Sequence, residues 1–103
     1  MGNTKARQAI NEVLRNTDLF PVNPNRFYDI QEIYAIVDDN VEEDIEKDFN
    51  ITLTVFHHRI RECVCGYFRG KNNSLRRKLT RKPPEYKCRQ KYIYAFLEPE
   101  PAK

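Results

Sequence analysis

Tryptophan is absent from this chain, glycine occurs only at Gly2, Gly66 and Gly70, and the cysteines number three. With so few glycines there is no Gly-rich loop to cradle a nucleotide's phosphates. Cys63 and Cys65 are separated by a single residue, where a mutual disulfide is strained, and the odd count with Cys88 points to reduced thiols. Long apolar runs are also missing: the N-terminus lacks the core of a signal peptide, and nothing downstream approaches the ~20 apolar residues of a membrane span. Gly2 follows Met1, but Ala6 stands where a myristoylation signal wants Ser or Thr. These absences predict an intracellular protein, cytoplasmic or nuclear, with no membrane partner.

What is present suits one small globular domain. The 103 residues are 40% hydrophobic, with six Tyr and six Phe to anchor a core. Charge is divided unevenly: residues 1 to 50 carry five Lys or Arg against eleven acids, whereas residues 51 to 103 carry thirteen against four. Within the second half, Arg69, Lys71, Arg76, Arg77, Lys78, Arg81, Lys82, Lys87, Arg89 and Lys91 face only Glu85. Such density repels itself unless a polyanion or solvent relieves it, and phosphate is the commonest polyanion. A solvated basic loop is the plainer alternative, but the interleaved Tyr67, Phe68, Tyr86 and Tyr92 exceed what solubility needs.

Apolar spacing predicts four helices and a hairpin. Ala6, Ile10, Val13 and Leu14 form one stripe over residues 4 to 16. Pro21 and Pro24 interrupt, in a loop whose Leu19, Phe20 and Val22 can tuck inward. Asp29 and Glu32 have capping-box spacing and open a second helix with Ile30, Ile33, Tyr34 and Val37 inside. A short third helix is predicted over residues 41 to 49 from Val41, Ile45 and Phe49. Asn50 tolerates a left-handed turn, after which Thr52 caps a fourth helix with Phe56, Ile60 and Cys63 or Val64 buried. Thr54, His57, His58 and Arg61 then occupy its flank and outer face, and such side chains can reach base edges or phosphates. Two strands, Val64 to Arg69 and Lys91 to Leu97, are predicted to pair around a long basic loop of residues 70 to 90.

The run DIEKDFNITLTVFHHRIREC resembles the helix-turn-helix of winged-helix DNA-binding proteins: apolar Phe49, Asn50 at the turn, apolar Ile51, then Phe56 and Ile60 on an inner face. The resemblance implies an α+β, winged-helix-like domain over residues 1–97, with a helix-turn-helix at about 41–64, a wing at about 64–97 and a flexible tail at 98–103. It implies duplex DNA as partner, for a transcription-regulator-like domain or a targeting module of a larger protein. Carried onto this chain, the DNA-contacting positions are Thr52, Thr54, His57, His58 and Arg61 on the helix, and Arg69, Lys71, Arg76, Arg77, Lys78, Arg81 and Lys82 on the wing. Glu46 departs from the pattern, standing where the preceding helix usually carries a small residue at the crossing. Glu42, Glu43, Asp44, Glu46 and Asp48 repel phosphate, so the helix at 41–49 must face away from DNA. The alternative is a protein-interaction module that uses this acidic helix and docks its basic wing on an acidic partner.

Other constellations carry less. His57, His58, Cys63, Cys65 and Cys88 include every side chain zinc prefers, but without a Cys-x-x-Cys knuckle, and no metal or other cofactor is expected. No Cys or Ser has a recognisable base at a catalytic spacing, so the expectation is not an enzyme. Tyr92, Tyr94 and Phe96 could stack bases. Nothing in the sequence sets the oligomeric state.

Overall fold

The computed structural model describes residues 2–70, 75–85 and 91–100. Four helices, α1 (Gly2–Arg15), α2 (Ile30–Asn40), α3 (Ile45–Asp48) and α4 (Leu53–Arg69), precede two antiparallel strands, β1 (Arg77–Lys82) and β2 (Ile93–Pro99). The architecture is α+β.

The amphipathic stripe of α1 is buried as its spacing predicts, with Ala6, Ile10 and Leu14 fully enclosed and α1 packed on α4. Asn16 ends the helix; its side-chain Oδ1 accepts from the Asp18 amide at 2.8 Å. The Pro-rich loop then sends Phe20 inward against Tyr28 and Phe96. Val22, expected inside, is 44% exposed. Next, the chain runs beside β2. Asn23 N donates to Phe96 O at 3.0 Å, and Tyr28 and Tyr94 exchange main-chain bonds of 2.7 and 2.9 Å in an isolated bridge. β2 therefore has a partner on both edges.

The capping box forms as predicted. Asp29 Oδ1 accepts from the Glu32 amide at 2.8 Å, and Glu32 Oε1 from the Asp29 amide at 3.3 Å. The third helix is shorter than the predicted 41–49. Val41 closes α2 and Asp44 caps a single turn, Ile45–Asp48, so Glu42 and Glu43 lie in the connection. One turn suffices to bury Phe49, and a longer helix would crowd five carboxylates onto two turns.

Asn50 adopts φ 56°, the left-handed turn expected of it, and Thr52 Oγ1 accepts from the Val55 amide at 3.2 Å to start α4. Phe56, Ile60, Cys63 and Val64 form the buried stripe. The predicted strand over Val64–Arg69 is not a strand: α4 continues through Arg69 and stops at Gly70 with φ 68°. Val64 and Gly66 are buried and Tyr67 and Phe68 half-buried, so packing holds these residues helical.

The hairpin consequently starts later. β1 lies inside the stretch expected to be loop, pairing Leu79 with Phe96, Thr80 with Ala95 and Arg81 with Tyr94, and a bulge separates Leu79 from Arg77. β2 continues to Pro99, and the Glu100 amide donates to Arg76 O at 3.0 Å, so the expected tail at 98–103 is ordered through residue 100. Lys71 and Cys88 lie outside the described residues.

Candidate nucleic-acid interface

The outward stripe of α4 consists of Thr54, His58, Arg61, Cys65 and Arg69, spaced four, three, four and four apart on a helix with 3.6 residues per turn. Thr54, His58, Arg61 and Arg69 are exposed and Cys65 half-buried. Thr52, the cap, is exposed at the helix start. His57 sits on the flank rather than the outer face. Its ring stacks on Tyr34 at 4.4 Å and 5°, and its Nε2 lies 2.6 Å from Asp38 Oδ2. Arg59 is also engaged: Nη1 donates to Glu62 Oε1 at 2.8 Å, which Arg7 of α1 reaches at 3.2 Å.

Two hollows flank the stripe and share Arg61. The first, about 540 Å³, is lined by Tyr34, Thr54, Val55, His57, His58, Arg59 and Arg61. The second, about 230 Å³, lies between the C-terminal half of α4 and the hairpin, lined by Ile30, Arg61, Cys65, Arg69, Arg81, Lys91, Tyr92 and Tyr94. Among the described residues, neither lining contains a carboxylate. The carboxylates collect elsewhere: Glu12, Glu42 and Glu43 line a cleft beside α1, and Glu12, Glu43 and Asp48 its neighbour.

Strand alternation sorts the basic residues of the hairpin. Leu79 and Arg81 share a face with their partners Phe96 and Tyr94 and with Tyr92, so Arg81 is carried toward α4. Its guanidinium lies between two rings, 4.4 Å from the centroid of Phe68 and 4.1 Å from that of Tyr92. Lys78 and Lys82 take the opposite face, where Lys82 sits 4.3 Å over the Phe27 ring and 3.8 Å from Glu85 Oε1. Arg76 is exposed with φ 54°.

Arg77 corrects the sequence reading. It was expected at the nucleic acid, but it is fully buried and its donors are spent on main-chain carbonyls: Nε on Leu97 O at 2.9 Å, Nη1 on Leu14 O at 2.8 Å, and Nη2 on Phe20 O. Burial lowers its pKa from the usual arginine value. Strand alternation puts this cation on the buried side with Leu79, and there it ties α1, the Pro-rich loop and β2 together.

The second hollow also brings in Cys65, Lys91, Tyr92 and Tyr94, which the resemblance did not mark. Tyr92, Tyr94 and Phe96 are the rings the sequence offers for base stacking, but Tyr94 and Phe96 are buried and only Tyr92 is half-buried. Cys65 and Arg69 follow only once α4 is extended past Val64. Cys65 Sγ lies 3.4 Å from Tyr94 Oη, and burial raises the Tyr94 phenol pKa, with the Cys65 contact adding to the effect.

Among the described residues no three His, Cys, Asp or Glu side chains converge to hold a metal ion, and no helix is long and apolar enough to cross a membrane. In comparisons with known proteins, no family model matches this chain, and neither a curated protein nor a solved structure does.

Proposed function

We propose that this protein is a non-catalytic, winged-helix-like domain that binds duplex DNA, with α4 in the major groove and the hairpin on the backbone. One observation carries the reading: among the described residues, both hollows along the exposed stripe of α4 are lined by neutral and basic side chains alone, while the carboxylates gather beside α1. A phosphate backbone selects for that segregation. The element order adds support, since a helix, a bridging segment, further helices and a hairpin is the winged-helix sequence of elements.

The roles then divide. Thr54, His58 and Arg61 face the bases; Thr52, Arg69, Arg76, Lys78, Arg81 and Lys82 hold phosphates. His57 positions the helix flank through Tyr34 and Asp38 rather than touching DNA. Such a domain serves an intracellular transcription regulator or the targeting module of a larger protein.

Fluorescence anisotropy with a random-sequence duplex at two salt concentrations tests the reading. The expected result is micromolar affinity whose log–log salt slope is about −4 to −5, for roughly five phosphates neutralised. Absence of binding at low salt would overturn it in favour of a protein-interaction module. The acidic clefts lined by Glu12, Glu42, Glu43 and Asp48 would then be the contact surface for a basic partner.

A further inference from the structure

The hollow of about 230 Å³ has properties that gripping a continuous backbone does not require. Four segments wall it: Ile30 from α2; Arg61, Cys65 and Arg69 from α4; Arg81 from β1; and Lys91, Tyr92 and Tyr94 at β2. Among the described residues, the lining holds three guanidinium groups and one ammonium and no carboxylate. Arg81 is held between Phe68 and Tyr92, so its planar fork is set before any ligand arrives.

We propose that this hollow is a binding site for a phosphate monoester, carried by a DNA end or by a free nucleotide. Charge favours the monoester. A backbone diester brings a single negative charge, whereas a monoester carries about −1.5 to −2 at neutral pH and offers three acceptor oxygens to forked donors. Size agrees, because pockets that enclose whole small ligands span roughly 300–1,000 Å³. This one admits the phosphoryl group and leaves sugar and base at the mouth, beside the half-buried Tyr92 ring. Lining chemistry agrees as well: the remaining wall is an isoleucine, a thiol and two tyrosines, none of which repels an anion. The DNA end as carrier rests on the DNA-binding reading above; the monoester site itself does not.

Three duplexes of one sequence separate the possibilities: a dumbbell closed by loops at both ends, a blunt duplex with hydroxyl ends, and the same duplex with 5′-phosphates. Inorganic phosphate and a nucleoside 5′-monophosphate, each against chloride of equal ionic strength, are tested in parallel by thermal shift. If a DNA end is the carrier, the phosphorylated duplex binds about tenfold tighter than the hydroxyl-ended one. A K91E variant, altered at an exposed lining position that the DNA-binding reading does not use, abolishes that ratio while still binding the dumbbell. If a free nucleotide is the carrier, the three duplexes bind alike, but the monophosphate raises the melting temperature of the wild type and not of the variant. Equal affinity for all three duplexes together with no thermal shift overturns the site. Failure to bind any duplex overturns only the DNA reading, and the thermal-shift arm still decides the site.

Discussion

The guanidinium of Arg77 donates to the main-chain carbonyl of Leu14, 63 positions earlier in the chain, across 2.8 Å. This bond and those to Phe20 and Leu97 make the most basic stretch of the sequence part of the core. Replacing Arg77 with Met leaves three inward-facing carbonyls without their donor. Equilibrium denaturation should show a loss of about 3–5 kcal/mol, since each buried carbonyl stripped of its donor costs about 1–3 kcal/mol. Lysine should not rescue it, since one ammonium cannot reproduce the fork.

Charge reversal at Arg76 and Lys78, both exposed, should weaken binding to every duplex alike and flatten the salt slope by about two units. His58→Ala or Arg61→Ala should instead reduce discrimination between sequences, costing about 1–3 kcal/mol at the best site. Anisotropy titrations on a preferred and a scrambled duplex check the division, and equal losses from both sets would refute it.

Asn50 holds φ 56° at the entrance to α4. Asn50→Ala should cost about 1 kcal/mol in urea unfolding, while Asn50→Gly should be near neutral. A larger loss with Gly than with Ala would show that the side chain, not the backbone angle, makes the turn.

Burial raises the Cys63 thiol from 9.0 to about 11. The folded state therefore holds this proton more tightly than the unfolded chain does. The associated stability is fully present below pH 9 and is lost as pH rises from 9 to about 11. Cys63→Ala should flatten the denaturation midpoint across that window. In a Cys88→Ser background, native labelling should reach the half-buried Cys65 well before Cys63.

Local signals were legible in the sequence wherever a few adjacent residues decide the outcome. Asp29 with Glu32, Asn50 and Thr52 each make the bond or backbone angle their side chains predict. The second half of α4 was misread because Cys63 to Phe68 is a nearly continuous apolar run, which periodicity cannot assign to helix or strand. Its helical stripe becomes visible only when Val64 and Gly66 are seen buried. Reading residues 70 to 90 as loop hid the alternation of Arg77, Leu79 and Arg81 that sends one arginine into the core and another toward α4. Charge counts alone gave both the same role.

β2 is bonded along one edge to β1 and along the other to the segment from Asn23 to Tyr28. A ribosome makes that segment some seventy residues before it makes its partner, so Phe20 and Tyr28 must wait, uncovered, until Phe96 leaves the exit tunnel. The nascent helices can form as they emerge, but the core can close only after β2 has followed them out. Any truncation that removes β2 should leave a helical and sticky remnant.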